Sequence, residues 1–478
     1  MSSEAEAAPA ARLSGRLGVT SIVFMVVAAA APLTVINGNV PLAVTMGNGA
    51  GAPIGFLVAS CVLLLFCVGF VAMTPHVQQA GAFYAYVERG LGPRLGTGAA
   101  FLALATYTAI QVGVWGYLGG AVSTLISDFG GPSLPWWACS AVGIALVALL
   151  GYRRIELSSK VLGAALLGEI AIVLVMDAVI LSTGGAEGIS GISFTPGAIF
   201  GGPFGIAVLF SMTGFIGFEA TAVFRDEARD PDRTLPRATY LAVLVIGVFY
   251  TFSAWAVVEG WGAGGIVPVA QQDPDNLVLN TATRYIGTAG KDVMQVLLMT
   301  SLFACTLAFH NVISRYQFTL AGRGTLHRAL GRVHPHHHSP SLSSVVQTAT
   351  AALLLSVFAI VGLDPLTEVF SAMAGVATLG VALLMTATSA AVLVFFFRRG
   401  DRRWWKTRVA PASGAVGLLC CLWLILSNFS LVVGGTTAAA CFLGAIPFLA
   451  FALGLLRGGG RRGTPAVPGS PEELAPRA

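Results

Sequence analysis

Ionisable side chains are scarce within the apolar stretches of this 478-residue chain, so each one marks a place where chemistry is worth seeking. Glu169 stands near the centre of a long apolar run. Counted from Leu157 it lies about 18 Å along a helix, near the middle of a bilayer core of about 30 Å. A carboxylate at that depth is costly to keep charged and is a functional candidate by default. Taking up and releasing a proton is the chemistry that suits it. The bland alternative is a neutral Glu hydrogen-bonded inside a bundle. Asp177, further along the same run, reads as nearer the surface and solvated. Glu219 follows a glycine-rich interruption, where a carboxylate suits the positive end of a helix or unwound backbone; a structural role outweighs ligand contact. Asp226 and Glu227 lie among Arg225, Arg229, Arg233 and Arg237 and read as a gate or as a solvated loop, where exposed ion pairs contribute about 0–1 kcal/mol. Tyr107, Gln111, His310 and Asn311 are weaker candidates.

The backbone offers a second kind of chemistry. Ala31-Pro32 falls in the middle of the first apolar run, followed by Asn37-Gly38-Asn39 and Pro41, and Thr213-Gly214-Phe215-Ile216-Gly217 falls in the middle of the sixth. An interrupted helix at membrane depth is tolerated where it is buried or lines a cavity. The half-helix after the first break presents free N–H groups and a partial positive charge, which suit a carboxylate. Pro32 contributes no N–H, leaving the amides of Leu33, Thr34 and Val35. Carbonyls before that break and near Met212–Gly214 suit an ammonium group. A ligand carrying both charges, an α-amino acid, matches the pair. The candidate contacts are Ala31, Pro32, Leu33 and Thr34 on one side and Met212, Thr213, Gly214, Phe215 and Gly217 on the other, with Phe215 either closing over the ligand or simply packing. Simple kinks are the alternative for each break alone, and matched positions weigh against it.

The elements that must hold these groups are helices in a bilayer. Hydrophobic residues make up 55% of the chain and charged residues 10%, too few charges for a soluble protein of this length. Twelve runs are long enough, or nearly so, to cross a membrane, and they are continuous rather than alternating, which excludes a β-barrel. Of the 27 Lys and Arg residues, all but Arg284 and Lys291 fall in the termini and alternate loops that lie on one side. Positive loops stay cytoplasmic, so both termini are expected inside a cell membrane. Residues 1–16 and 457–478 read as disordered. Segment Pro75–Gly96 reads as an amphipathic helix, and the loop Glu259–Ala289 as holding a short surface helix. The net charge of +5 belongs to cytoplasmic loops, not to a nucleic-acid surface. The seven cysteines fall inside expected spans and read as small core residues.

The sixth break lies five spans after the first. Interrupted helices at corresponding places in two halves point to an inverted repeat, with residues 17–182 (helices 1–5) and 203–397 (helices 6–10) as the halves and 411–456 as two added helices. The fold expected is an all-α polytopic membrane protein of twelve transmembrane helices. Phe210-Ser-Met-Thr-Gly-Phe-Ile-Gly-Phe-Glu219, the run from Arg225-Asp-Glu to Pro236-Arg-Ala238, Gly81-Ala-Phe-Tyr-Ala-Tyr, Leu91-Gly-Pro93 and the Ser314-Arg-Tyr316 to Gly324 segment resemble the amino acid–polyamine–organocation superfamily of permeases. That resemblance covers residues from about 17 to 460. It implies the five-plus-five inverted-repeat fold and amino acids as the commonest substrates. Members often carry Gly-Ser/Thr-Gly at the first break, where this chain has Ala30-Ala-Pro-Leu-Thr34. In proton-coupled members a Lys replaces a sodium site near this part of the fifth helix; with Lys160 aligned to the family's cytoplasmic-end Lys, Glu169 falls there.

The expectation is a proton-coupled permease for amino acids or related amines, with lipid as its other partner. Sodium coupling stays open through Thr300 and Ser301, as does exchange. An enzyme, a channel or a sensor is less well supported. No nucleotide loop, HExxH or catalytic triad is present, and His334-Pro-His-His-His338 lacks ordered metal-ligand spacing, so no cofactor and no metal are expected. Cysteines introduced beside Glu187 or Asp273 are expected to react with an impermeant thiol label from outside intact cells, and ones beside Arg229 or Arg402 are not; the reverse labelling pattern contradicts the assigned orientation.

Overall fold

The computed structural model describes residues 18–77, 82–153, 159–219, 221, 228–334, 339–434 and 437–458, with 159 and 160 as backbone only. The expected terminal tails, Asp226, Glu227 and most of the His334–His338 run lie outside the described residues. Among those described, the chain is helical and holds no β-strand. In chain order the principal helices are α1 (Val19–Ala29), α2 (Ala52–Met73), α3 (Phe83–Leu91), α4 (Pro93–Asp128), α5 (Trp136–Arg153), α6 (Ser159–Ser182), α7 (Phe204–Thr213), α8 (Pro231–Trp261), α9 (Ile266–Gln272), α10 (Leu277–Gly322), α11 (Ser341–Val361), α12 (Ser371–Arg398), α13 (Ala410–Val432) and α14 (Thr437–Gly458).

Ten described helical stretches are long and apolar enough to cross a membrane. One of them, Val19–His76, contains the first two of the twelve segments expected, and the sixth segment is the ten-residue α7 followed by turns. Helix ends follow local chemistry. Gly92, at φ +102°, precedes Pro93 at the start of α4, and Pro at the first helical turn forfeits no intrahelical bond. Gly262, at φ +80°, stops α8. Asp364 accepts from the amides of Leu366 and Thr367 and opens the turn leading into α12.

Helices α4, α8 and α12, with the two interrupted segments, are largely buried, whereas α5, α11 and α14 lie at the periphery with lipid-sized apolar side chains outward. Small residues set close crossings, as membrane helices require: Gly90 of α3 lies against the Ala391 backbone, and Gly414 of α13 against the Phe66 backbone. The amphipathic segment is realised as α3, which buries Phe83, Tyr84, Tyr86 and Val87. The long loop holds α9 and the first turns of α10, which break at Gly287 with φ +75°.

Candidate functional site

The first interruption is a backbone event. Ala31 adopts φ +46°, the one positive φ at a non-glycine among the described residues. Such a conformation costs of order 1–3 kcal/mol and persists only where its surroundings enforce it. Pro32 disfavours the α region for the residue before it, so α1 stops and helical turns resume at Pro32. Wide π-type stretches follow at Val35–Asn39 and Ala43–Asn48. The second interruption follows α7: turns occupy 214–217, and Gly217 sits at φ +113°, where a side chain would be strained.

The two interruptions face each other. The Ala29 carbonyl lies against Gly217, where an added Cβ would meet it at 3.4 Å, and the Val35 side chain covers Gly214. The Tyr250 hydroxyl of α8 donates to the Ala30 carbonyl at 3.1 Å, while its ring meets Phe215 and Phe56 edge-on. Asn39 donates to the Phe210 carbonyl at 2.8 Å, tying the two segments again. Ala31, Pro32, Leu33, Thr34, Met212, Thr213, Gly214 and Phe215 are all buried, and Gly217 is partly so. Thr213 shares a hydrogen bond with Thr378 of α12.

Glu169 of α6 is 4% exposed and belongs to the first interruption. Its carboxylate accepts from the Ser301 hydroxyl of α10 at 2.8 Å, and Ser301 in turn accepts from Thr34 at 3.2 Å. The Leu33 amide also points at this carboxylate. Of the three amides expected to be free, Leu33 thus faces a protein carboxylate and Val35 donates to the Ala31 carbonyl at 3.2 Å. The Thr34 amide finds no acceptor among the described residues. Thr300 turns outward and bonds the Leu297 carbonyl. An apolar cleft of about 630 Å³ between α4, α5, α6 and α10 reaches Glu169.

Glu219 closes the second interruption. One oxygen accepts from the Tyr107 hydroxyl at 2.5 Å and the other from the Gly217 amide at 2.9 Å. From Tyr107 an aromatic ladder leads to the side of the basic loops: Tyr107 to Tyr316 at 5.7 Å between centroids, then Tyr316 to Tyr84 at 5.4 Å. It ends at Arg323, which stacks over Tyr84 and pairs with Glu88 at 2.8 Å. Neither Glu88 nor Arg323 was a sequence candidate, because the partners are far apart in the chain.

Asp177 corrects the sequence reading. It is fully buried rather than solvated, because α8 covers this face of α6, and it accepts from Ser253 at 2.6 Å. Gln111 and His310 bond Thr306, Gln347 and Ser344 within helix packing.

Two interrupted helices meeting inside an apolar bundle are the architecture of a multi-pass membrane transporter. The chain belongs to the amino acid permease family, which it matches over residues 17–451. It is therefore a transporter rather than an enzyme. It is 26% identical over 405 residues to the branched-chain amino acid permease BcaP of Bacillus subtilis, covering 79% of this chain and 81% of that one. It is 27% identical over 154 residues to the serine/threonine exchanger SteT of the same organism, covering 32% and 34%. Over 312 residues it is 19% identical to the low-affinity putrescine importer PlaP of Escherichia coli, covering 64% and 67%.

Removing the Tyr107 hydroxyl leaves the buried Glu219 carboxylate one donor short. Tyr107→Phe is expected to lower stability by about 1–3 kcal/mol, read as a reduced melting temperature of the purified protein in detergent; an unchanged melting temperature contradicts the closing role given to this pair.

Proposed function

We propose that the protein is a secondary active transporter that moves amino acids or related amines across the cell membrane by alternating access, driven by protons. In this reading twelve helices span the membrane and both termini are cytoplasmic. Residues 17–182 and 203–397 form inverted repeats around the two interruptions, and 411–456 adds two helices. The substrate sits between Ala31–Thr34 and Met212–Gly217. Its carboxylate takes the amides of the first interruption. Its ammonium faces the carbonyls of the second, where the Gly214 carbonyl accepts no backbone hydrogen bond among the described residues. Relatives named for branched-chain amino acids, serine/threonine and putrescine support a substrate bearing an amine.

The observation that carries proton coupling is the shared donor at Leu33. Its amide points at Glu169, and the same amide is among those a substrate carboxylate needs. An ionised Glu169 competes for that donor and repels a second carboxylate. A protonated Glu169 carries no charge to repel it and holds that donor more weakly, so proton and substrate favour each other's binding, and linkage makes this reciprocal. Protonation from outside and release inwards then couples accumulation to the pH gradient. Asp226 and Glu227, with the Glu88–Arg323 pair, are placed at the inner gate in this scheme. A sodium-coupled cycle is the second reading, favoured by the cluster of oxygens from Thr34, Ser301 and Glu169.

The test is uptake of a panel of labelled amino acids and diamines into proteoliposomes under imposed pH or sodium gradients. Wild type is expected to concentrate substrate when the outside is acid. Glu169→Gln, which mimics the protonated state, is expected to retain exchange near the wild-type rate and to lose pH-driven accumulation. Normal accumulation by Glu169→Gln under a pH gradient contradicts the coupling role, and accumulation that follows sodium alone favours the second reading.

A further inference from the structure

On the side opposite the basic loops, a small, partly open cavity of about 20 Å³ lies between α4, α10 and the turn entering α12. That volume holds one water-sized occupant. Five oxygen-bearing side chains line it, those of Tyr117, Thr124, Asp275, Asn276 and Gln295, and three of them, Tyr117, Asp275 and Gln295, spend little on one another. The Tyr117 hydroxyl and the Gln295 side-chain carbonyl are buried and have no hydrogen-bond partner among the described residues. The Gln295 amide nitrogen is held by Asp128 at 3.3 Å, which leaves its carbonyl as the group without a partner. Asp275, in the connection between α9 and α10, also lines the cavity and has no hydrogen-bond partner or counter-ion among the described residues.

The surrounding charge is negative. Asp273 and Asp364 raise the potential energy of a charge on Asp275, although their own oxygens are engaged, by Asn276 and Asn280 and by the turn at Leu366. Lys291 is committed to Asp128 at 2.5 Å. A carboxylate and two free acceptors around a water-sized space are a donor set for a cation, because each oxygen offers lone pairs that no protein donor takes.

We propose that this cavity is a binding subsite for a small monovalent cation, held by Asp275, the Tyr117 hydroxyl and the Gln295 side-chain carbonyl. The cation is the primary ammonium group of a substrate on its way in, or a free alkali ion of the same size and charge. The location fits an entry station. Tyr117 packs over Gly38 on the half-helix that follows the first interruption. Gln295 and Ser301 lie six residues apart on α10, about 9 Å along its axis, so the cavity stands roughly two turns from the Glu169 cluster. Calling this side outer rests on the orientation proposed above; the cation site itself does not.

Burial, then Asp364 and Asp273, push the Asp275 carboxyl up to about 7. The charge that attracts the cation is therefore complete well above pH 7 and is lost as pH falls through that value, so cation binding weakens on acidification.

The experiment needs no transport, so its failure and that of the proposed function are distinguishable. Thermal unfolding of the purified full chain in detergent is followed at constant ionic strength, with methylammonium or sodium replacing choline, which is too large for the cavity. Binding to the folded state alone raises the melting temperature with concentration. A saturable rise is expected, with the half-saturating concentration increased by roughly tenfold in Asp275→Asn, about threefold in Tyr117→Phe, and also raised at pH 6 relative to pH 8. A response to methylammonium assigns the site to substrate amines; a response to sodium alone assigns it to an alkali ion. The absence of any response relative to choline, or a response unchanged in both variants, overturns the proposal. Tyr117→Phe keeps its packing ring and carries the test if Asp275→Asn does not fold.

Discussion

An interrupted helix at membrane depth exposes N–H and C=O groups that no water can satisfy, and an unsatisfied group there costs several kcal/mol. Much of what surrounds the centre of this protein meets that constraint. Tyr250 supplies a donor to the Ala30 carbonyl, Glu219 supplies an acceptor to the Gly217 amide, and Asn39 reaches across to the Phe210 carbonyl. Each comes from a different part of the chain, so the interruptions exist only in the folded bundle. The left-handed Ala31 is held in the same way, by a proline after it and buried packing around it.

The same constraint links structure to transport. An amide freed by the break must be given to something, and in this structure Leu33 points at Glu169. In the proposed cycle that donor alternates between a protein carboxylate and a substrate carboxylate. Protonation of one side chain is then enough to change the affinity of the site without any rearrangement of the backbone. The ladder from Glu219 through Tyr107, Tyr316 and Tyr84 to the Glu88–Arg323 pair joins the second interruption to the basic-loop side. It gives a movement at Gly217 a continuous packed route to that surface.

The interruptions were legible because proline and glycine act locally: Pro32 and Gly217 carry their backbone meaning in their own covalent structure. Helix rise alone marked Glu169 as a mid-run carboxylate, and the structure buries it beside Ser301 and Leu33, a meeting of α6, α10 and the first interruption that no single segment announces. Asp177 was misread for the converse reason. Its distance along the helix suggested solvent, but burial depends on which face α8 covers. Tyr250 looked like one more aromatic in an apolar run, and Glu88 and Arg323 like loop charges, because their partners are distant in sequence. The apolar run lengths pointed to twelve crossing segments. The described residues hold ten long apolar stretches, one of which, Val19–His76, runs on through Gly47, and the sixth run is a ten-residue helix followed by turns.

The central claim is that the two interruptions together hold the substrate. A structure of the protein bound to a transported amino acid or amine tests it most directly. The account predicts ligand density between residues 30–34 and 212–217, with the carboxylate within hydrogen-bonding distance of the Thr34 amide. A ligand confined to the space among α11, α12, α13 and α14, with the interruptions empty, would contradict it.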